Sequence, residues 1–289
     1  MKISVFSHCT IDSIQLGDNS SDNPGGPACY SSLTIKNLKF DCNLFTKFGK
    51  DFPKDILSDK KIKFDNALSE KPTTRFKITI EGSDRTLSLL NECEPISYSE
   101  INSDGTIISP VFHEISNDTY EKITSDSNFT FLDPQGFLRR VDAENKIFLE
   151  QTELELSKIS AIKTSPDELF SLTKNSGIDA MKILQSKGVE NVILTNKRDI
   201  SILVKDKLYS ITLPKLDLFD TTGIGDIFSA TFCCTMIKEK DFLWALCFAG
   251  GAAQAAIESK QFGTNKIPAK GAIETNAAYF YNQVKFKQV

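Results

Sequence analysis

Residues 216–232 read LDLFDTTGIGDIFSATF, an apolar run interrupted by threonines, glycines and aspartates. Before Asp220 the residues alternate as a strand does. After Asp226, the spacing of Ile227, Phe228, Ala230, Phe232 and Cys233 predicts a largely buried helix. Gly223 and Gly225 let the backbone take conformations other residues avoid and let a ligand come close. The N–H groups of Gly223, Ile224, Gly225 and Asp226 would then point outward with the positive end of the helix dipole, which is an anion site. Asp226 is expected to be ionised at neutral pH, because aspartate titrates at about 3.9 and the dipole lowers that value. It would take a proton from a hydroxyl while the amides stabilise charge on a transferring phosphoryl group. The plain alternative is a glycine-rich turn in which Asp226 caps the helix.

The chain of 289 residues is long enough for one large domain, or a large domain with a small appendage. With 34 basic and 38 acidic residues it carries a formal charge of −4, which argues against a nucleic-acid partner. MKISVFSHCTID at the N-terminus reads as a first strand, its apolar part being short and without a small-residue cleavage site. The apolar stretch 242–257, FLWALCFAGGAAQAAI, contains Gln254 and is short for a bilayer, so a buried helix is expected and no membrane partner. Seven cysteines form no CxxC pair, and two histidines, His8 and His113, leave few zinc ligands. A cytoplasmic, reduced chain is expected.

Segments 2–7, 42–47, 106–109, 128–132, 160–163 and 191–195 have strand character, and 27–38, 167–173, 177–187 and 226–238 have helical periodicity. That alternation predicts an α/β fold with a mostly parallel sheet. Residues 73–90 break the rhythm, reading as two strands joined by the turn EGSD at 81–84. Paired with the extended piece 12–16, they would form a small sheet covering a ligand at the carboxyl ends of the parallel strands. The alternative is an edge added to the main sheet.

Three rival motifs are absent. The Gly-Lys at 49–50 is followed by Asp51, so no P-loop exists. Phe228 stands where a dinucleotide fingerprint needs glycine, and neither histidine sits in a protein-kinase HRD motif.

DTTGIGD at 220–226 resembles the DTxGAGD signature of the ribokinase family of carbohydrate kinases, which have the PfkB-type fold. SHCTID resembles that family's first-strand motif ending in a substrate-binding Asp, here Asp12, and PGGPACYSS its di-glycine motif, here Gly25 and Gly26. TSPDE lies where the family has NxxE, and FAGGAAQAAI with FGT resembles the helices and loop around the adenine. The resemblance implies one ribokinase-like three-layer α/β/α domain over residues 1–289, with a small β lid from about 12–24 and 72–95. It implies ATP, bound by a region that includes Ser165, Glu168, Thr195, Thr222 and Gly263. It also implies Mg²⁺, with Glu168 acting through water, and a hydroxyl acceptor held by Asp12, Gly25 and Gly26. Asp226 becomes the general base and Gly223, Ile224 and Gly225 the anion hole. Glu114 matches a position that can touch substrate, its alternative being an exposed loop acid. Asp220 falls where some members bind a monovalent cation such as K⁺.

Several positions depart from the pattern. Tyr30 replaces the acceptor-binding Asn, Ser165 the Asn of NxxE, and TNKRDIS (195–201) has Lys197 and Ile200 near the places of two glycines in TxGxxG. FLDPQGFLRR (131–140) and DRTLSLLNECEPI (84–96) resemble the branch containing the myo-inositol kinases, in which Gln135, Gly136 and Arg139 would line the site. A turn at 135–136 and a solvated Arg139 are the alternative there. The expected activity is therefore ATP-dependent phosphorylation of a small polyol. A nucleoside or sugar-phosphate kinase, with Arg75, Lys77 and Arg85 as lid cations, and a degenerate metabolite-binding regulator stand as alternatives. The unpaired edge of an exposed lid sheet would also allow a homodimer.

Overall fold

The computed structural model describes the whole chain apart from residues 17–18, 82–83 and 217–219. The middle of the EGSD turn and the strand expected just before Asp220 thus lie outside the described residues. From the N-terminus the order is β1 (Lys2–Phe6), β2 (Thr10–Leu16), β3 (Asn19–Gly25), α1 (Gly26–Asn37), β4 (Asp41–Phe45) and α2 (Asp55–Ser58). There follow β5 (Thr74–Glu81), β6 (Asp84–Asn91), β7 (Gly105–Ile108), α3 (Asn117–Asp126), β8 (Thr130–Leu132) and α4 (Gln135–Leu138). The middle of the chain continues with β9 (Arg139–Val141), β10 (Ile147–Leu149), β11 (Ala161–Thr164), α5 (Pro166–Thr173) and α6 (Gly177–Ser186). It ends with β12 (Asn191–Asn196), β13 (Asp199–Val204), β14 (Lys207–Thr212), α7 (Ile224–Glu239), α8 (Phe242–Glu258), α9 (Lys270–Tyr281) and β15 (Lys285–Gln288). A short 3-10 turn, Gly263–Lys266, joins α8 to α9.

The main sheet has the order β15-β14-β13-β12-β11-β8-β7-β1-β4. From β4 to β12 its pairs are parallel, and β13, β14 and β15 complete it antiparallel. Successive side chains of a strand face opposite ways, and the central strands divide their apolar residues accordingly. Ile3, Val5, Ile107, Phe131, Ala161 and Ile193 join one core, with residues of α1, α7, α8 and α9. Phe6, Ile108, Leu132, Ile162 and Val192 join the other, with residues of α3, α5 and α6. A sheet buried on both faces gives three layers. Helix α8 is apolar nearly all round because α7 and α9 both pack on it, and a side chain at Gly251 would meet the α9 backbone at 2.7 Å.

The second sheet is β3-β2-β5-β6, separate from the first, and so the hairpin does not extend the main sheet. β2 pairs parallel with β5, and the register aligns Asp12 with Phe76 and Ile14 with Ile78. Phe76 in turn faces Leu89, and Ile78 faces Leu87. His8 fastens this sheet to the main one. Its ring nitrogens lie 2.9 Å from Thr74 Oγ1 and 2.7 Å from the Glu94 carbonyl, in a fully buried position that lowers its pKa. All seven cysteines are free and buried. Among the described residues, no helix is long and apolar enough to cross a membrane.

Candidate active site

A cavity of about 190 Å³ lies between the lid sheet and the carboxyl ends of the parallel strands. Its lid wall is Thr10, Asp12, Phe76, Ile78 and Leu87, and its floor includes Asp133, Lys163, Gly223, Gly225 and Asp226. Tyr30, Gln135, Arg139 and Thr222 complete it.

The glycine junction opens α7. Gly223 is its N-cap in the left-handed region, φ 79°, and Asp226 stands in the first turn. The Ile224 N–H leans toward the Thr221 carbonyl at 3.3 Å. By helix geometry the N–H groups of Gly225 and Asp226 have no acceptor within the helix, and both residues line the cavity. A Cβ on Gly223 would lie 2.5 Å from the ring of Tyr30, which is 1% exposed and packed beneath the junction. Gly223→Ala is therefore expected to cost about 1–3 kcal/mol from its backbone alone, and more once the ring is displaced. A lower Tm in thermal denaturation would show this, and an unchanged Tm would mean that the junction rearranges freely.

The di-glycine is required by Asp12. A side chain at Gly25 would come within 2.2 Å of Asp12 Oδ2, and Gly26 takes φ 76° above the His8 carbonyl. Asp12 is 6% exposed and accepts a hydrogen bond from Thr10 Oγ1 at 2.9 Å. Arg139 is half-buried on the cavity wall. Its guanidinium donates to Gln135 Oε1 at 2.6 Å and to the Val111 carbonyl at 2.9 Å, and lies 5.7 Å from the Phe76 ring centre.

Two floor residues carry charge that the sequence did not reveal. Lys163, in β11, and Asp133, just past β8, are buried and 2.8 Å apart, Nζ to Oδ2. Neither oxygen of Asp133 has a well-aligned hydrogen-bond donor. The Lys163 ammonium also faces α7, 3.3 Å from where a Cβ on Gly225 would stand. Burial works to lower the Lys163 pKa, but Asp133 and then Glu168 hold it above the usual lysine range.

The expected low pKa of Asp226 is overturned. The carboxyl keeps some exposed surface toward the cavity, yet protein encloses it on nearly every side. That desolvation, followed by the repulsion of Asp133, pushes its pKa up to about 7 against the pull of Lys163 and Arg139. The helix dipole is outweighed by loss of water and by a neighbouring carboxylate.

Other expected site residues lie apart from the cavity. Glu114 is 1% exposed, and its oxygens accept from the N–H groups of His8, Val111 and Phe112 at 2.7–3.0 Å, which ties the ends of β1 and β7 together. Ser165 and Glu168 form a capping box at the start of α5, and the partly buried Glu168 is raised in pKa by desolvation and by Asp133. Thr195, in β12, donates to the Thr164 carbonyl at 3.3 Å. Gly263 donates to Asp220 Oδ2 at 3.1 Å. At Asp220, where a monovalent cation was expected, the Lys266 Nζ lies 2.5 Å from Oδ2. Burial would raise the Asp220 pKa, but Lys266 and the Thr222 N–H hold it below the usual range.

Comparison with known proteins accords with this geometry. The chain matches the pfkB family carbohydrate kinase profile over residues 111–270, more than half its length, and so belongs to that family. It is 27% identical to inositol 3-kinase of Arabidopsis thaliana over 242 residues, 78% of this chain and 64% of that protein. The chain spans less than two thirds of the length of the curated relatives it matches. Among solved structures, a pyrophosphate-dependent kinase in the ribokinase family, complexed with a pyrophosphate analog and myo-inositol, superposes with a TM-score of 0.79 at 20% identity. That match covers 94% of this chain and 99% of the other. Arabidopsis thaliana ribokinase complexed with ribose and ATP gives 0.75 at 16% identity, covering 96% and 98%. At these identities the structures speak for the ribokinase-like fold.

Proposed function

We propose that the chain transfers the γ-phosphoryl group of ATP to a hydroxyl of a small cyclitol or sugar, with a myo-inositol-like polyol favoured. The observation that carries this is one cavity with Asp12 on its lid wall and Asp226, at the start of α7, on its floor. A polyol spanning that space would hydrogen-bond to Asp12 and present a hydroxyl to Asp226. As the hydroxyl oxygen bonds to phosphorus, its proton passes to the Asp226 carboxylate and the bond from the γ-phosphorus to the departing ADP breaks. The Gly225 and Asp226 amides and the Lys163 ammonium would stabilise the charge on the transferred group. Phe76, Ile78 and Leu87 would keep water out.

Among the described residues, no three His, Cys, Asp or Glu side chains are grouped to hold a metal. Mg²⁺ is commonly held by one or two carboxylates, waters and substrate phosphates. Asp133, which lines the cavity and whose Oδ1 is buried without a hydrogen-bond partner, and Glu168 fit that need. When bound, Mg²⁺ would neutralise phosphate charge.

The lid favours an uncharged acceptor over a sugar phosphate. Arg75 is engaged by Asp22 and, at 3.8 Å, by Asp51, and Lys77 is exposed on the sheet face opposite Phe76 and Ile78. The Arg85 side chain lies outside the described residues. Pyrophosphate as donor is the second reading. Lys197 takes φ 54° where the family pattern has glycine, so the glycine-like backbone persists with an exposed cation on it.

The test is release of ADP from Mg-ATP, and of phosphate from pyrophosphate, across myo-inositol, ribose, fructose, fructose phosphates and nucleosides. Turnover of a neutral polyol with Mg-ATP is expected. Turnover with pyrophosphate alone would establish the second reading. Silence with both donors, with metabolite still bound, would leave the regulatory alternative.

A further inference from the structure

We infer that the ammonium of Lys266 is a built-in cation that positions the anion hole, so that the chain has no place for a monovalent metal ion beside Asp220. The inference rests on the kinase reading above for its kinetic arm only. Lys266 is 0% exposed, and its Nζ donates to Asp220 Oδ2 at 2.5 Å and to the Asp220 and Thr222 carbonyls at 2.9 Å each. An ammonium has three hydrogens to give, and among the described residues three oxygens converge on it, two from Asp220 and one from Thr222. Two carbonyls and a carboxylate around one point are the surroundings an alkali ion would seek, and an ammonium is close to K⁺ in size. A tethered cation occupies that point at an effective concentration that free ions do not match.

The same contacts explain what this cation does. Asp220 Oδ1 accepts the Thr222 N–H at 2.9 Å while Lys266 takes the Thr222 carbonyl. The residue before Gly223 is thus pinned at both its backbone groups. The Gly263 N–H holds the second Asp220 oxygen, tying in the turn from which Lys266 comes. Above this knot, Tyr30 lies 6.0 Å from Nζ and supports Gly223, the cap of α7. Lys266 touches neither donor nor acceptor; it is a positioning residue acting through the 220–223 backbone.

The experiment compares wild type, Lys266→Gly and Lys266→Met in K⁺, methylammonium and tetramethylammonium chloride at constant ionic strength. Wild type should show the same kcat in all three salts. Lys266→Gly leaves room for a diffusible cation. Its kcat should fall about 100-fold in tetramethylammonium, the scale of losing one anion-hole donor, and recover in saturable fashion with K⁺ or methylammonium. Lys266→Met fills the space without charge and should be inactive in every salt. A thermal-shift series reads the same site without catalysis: K⁺ and methylammonium should raise the Tm of Lys266→Gly, and leave wild type and Lys266→Met unmoved. Saturable K⁺ activation of wild type, full activity in Lys266→Met, or a Lys266→Gly that answers to no cation in either assay would overturn the inference. If wild type phosphorylates no acceptor, the kinase reading fails while the thermal shifts still decide the role of Lys266.

Discussion

Asp226→Asn should lower kcat by a factor on the order of 10²–10⁴, the usual contribution of a general base, and leave the acceptor KM within a few-fold. The carboxylate removed is one whose pKa burial has pushed up to about 7. The wild-type profile of kcat/KM should therefore fall on the acid side of about pH 7, where protonated Asp226 can no longer accept the hydroxyl proton, and the variant's residual activity should lack that limb. Stability should move the opposite way. The folded-state pKa lies above the ordinary 3.8, so the folded chain holds this proton more tightly than the unfolded chain. The resulting stabilisation is fully present below 3.8 and is lost as pH rises through about 7. At pH 8 wild type carries an ionised, poorly hydrated carboxylate, and Asp226→Asn should melt higher. Toward pH 4 the difference should close. An Asp226→Asn protein that turns over at the wild-type rate would remove Asp226 from the mechanism.

Lys163→Met is expected to have the largest effect on folding. The Lys163 and Asp133 side chains are 9% and 1% exposed, and removing one partner of a buried ion pair typically costs about 3–5 kcal/mol, because the other charge is left uncompensated. Adding Asp133→Asn removes that orphaned charge, and the double variant should regain most of the loss in urea denaturation. Lys163 also pulls the Asp226 pKa down. Whatever activity survives in Lys163→Met should therefore show an acid limb at higher pH than wild type. If the single variant is as stable as wild type, the pair does not carry the charge balance of the floor.

The parallel half of the main sheet was legible because its strands and intervening helices follow their own periods. Segments 27–38, 167–173, 177–187 and 226–238 lie within two residues of α1, α5, α6 and α7. The antiparallel strands β13, β14 and β15 were not anticipated, since β15 is exposed throughout and has no apolar alternation to display. β3, with the polar sequence NSSDNPG, is a strand only because β2 pairs with it. At the site, Asp12, Tyr30, Gln135, Arg139 and Asp226 could be named from local motifs, and all line the cavity. Lys163 and Lys266 could not, because a lysine in a short segment looks solvated until distant elements bury it. A lysine inside the apolar stretch SAIKT was the one available signal for the first. The acidity of Asp226 was misjudged for the same reason. A helix dipole can be read locally, whereas Asp133 reaches Asp226 from the end of β8, more than ninety residues earlier in the chain.

Asp12 does not sit on the floor with the reacting groups. It belongs to β2, a strand of the lid sheet, whose neighbours Phe76 and Ile78 form the cavity's apolar wall. In the proposed reaction, grasping the acceptor and sealing the chamber would thus fall to one piece of the molecule. Water is itself a hydroxyl compound and the most abundant rival acceptor, but it is too small to bridge from Asp12 to Asp226. In the proposed reaction, discrimination against it would lie in reach: only an acceptor long enough to touch both the lid strand and the start of α7 would be held against Asp226, and the phosphoryl donor would be spared wasteful hydrolysis.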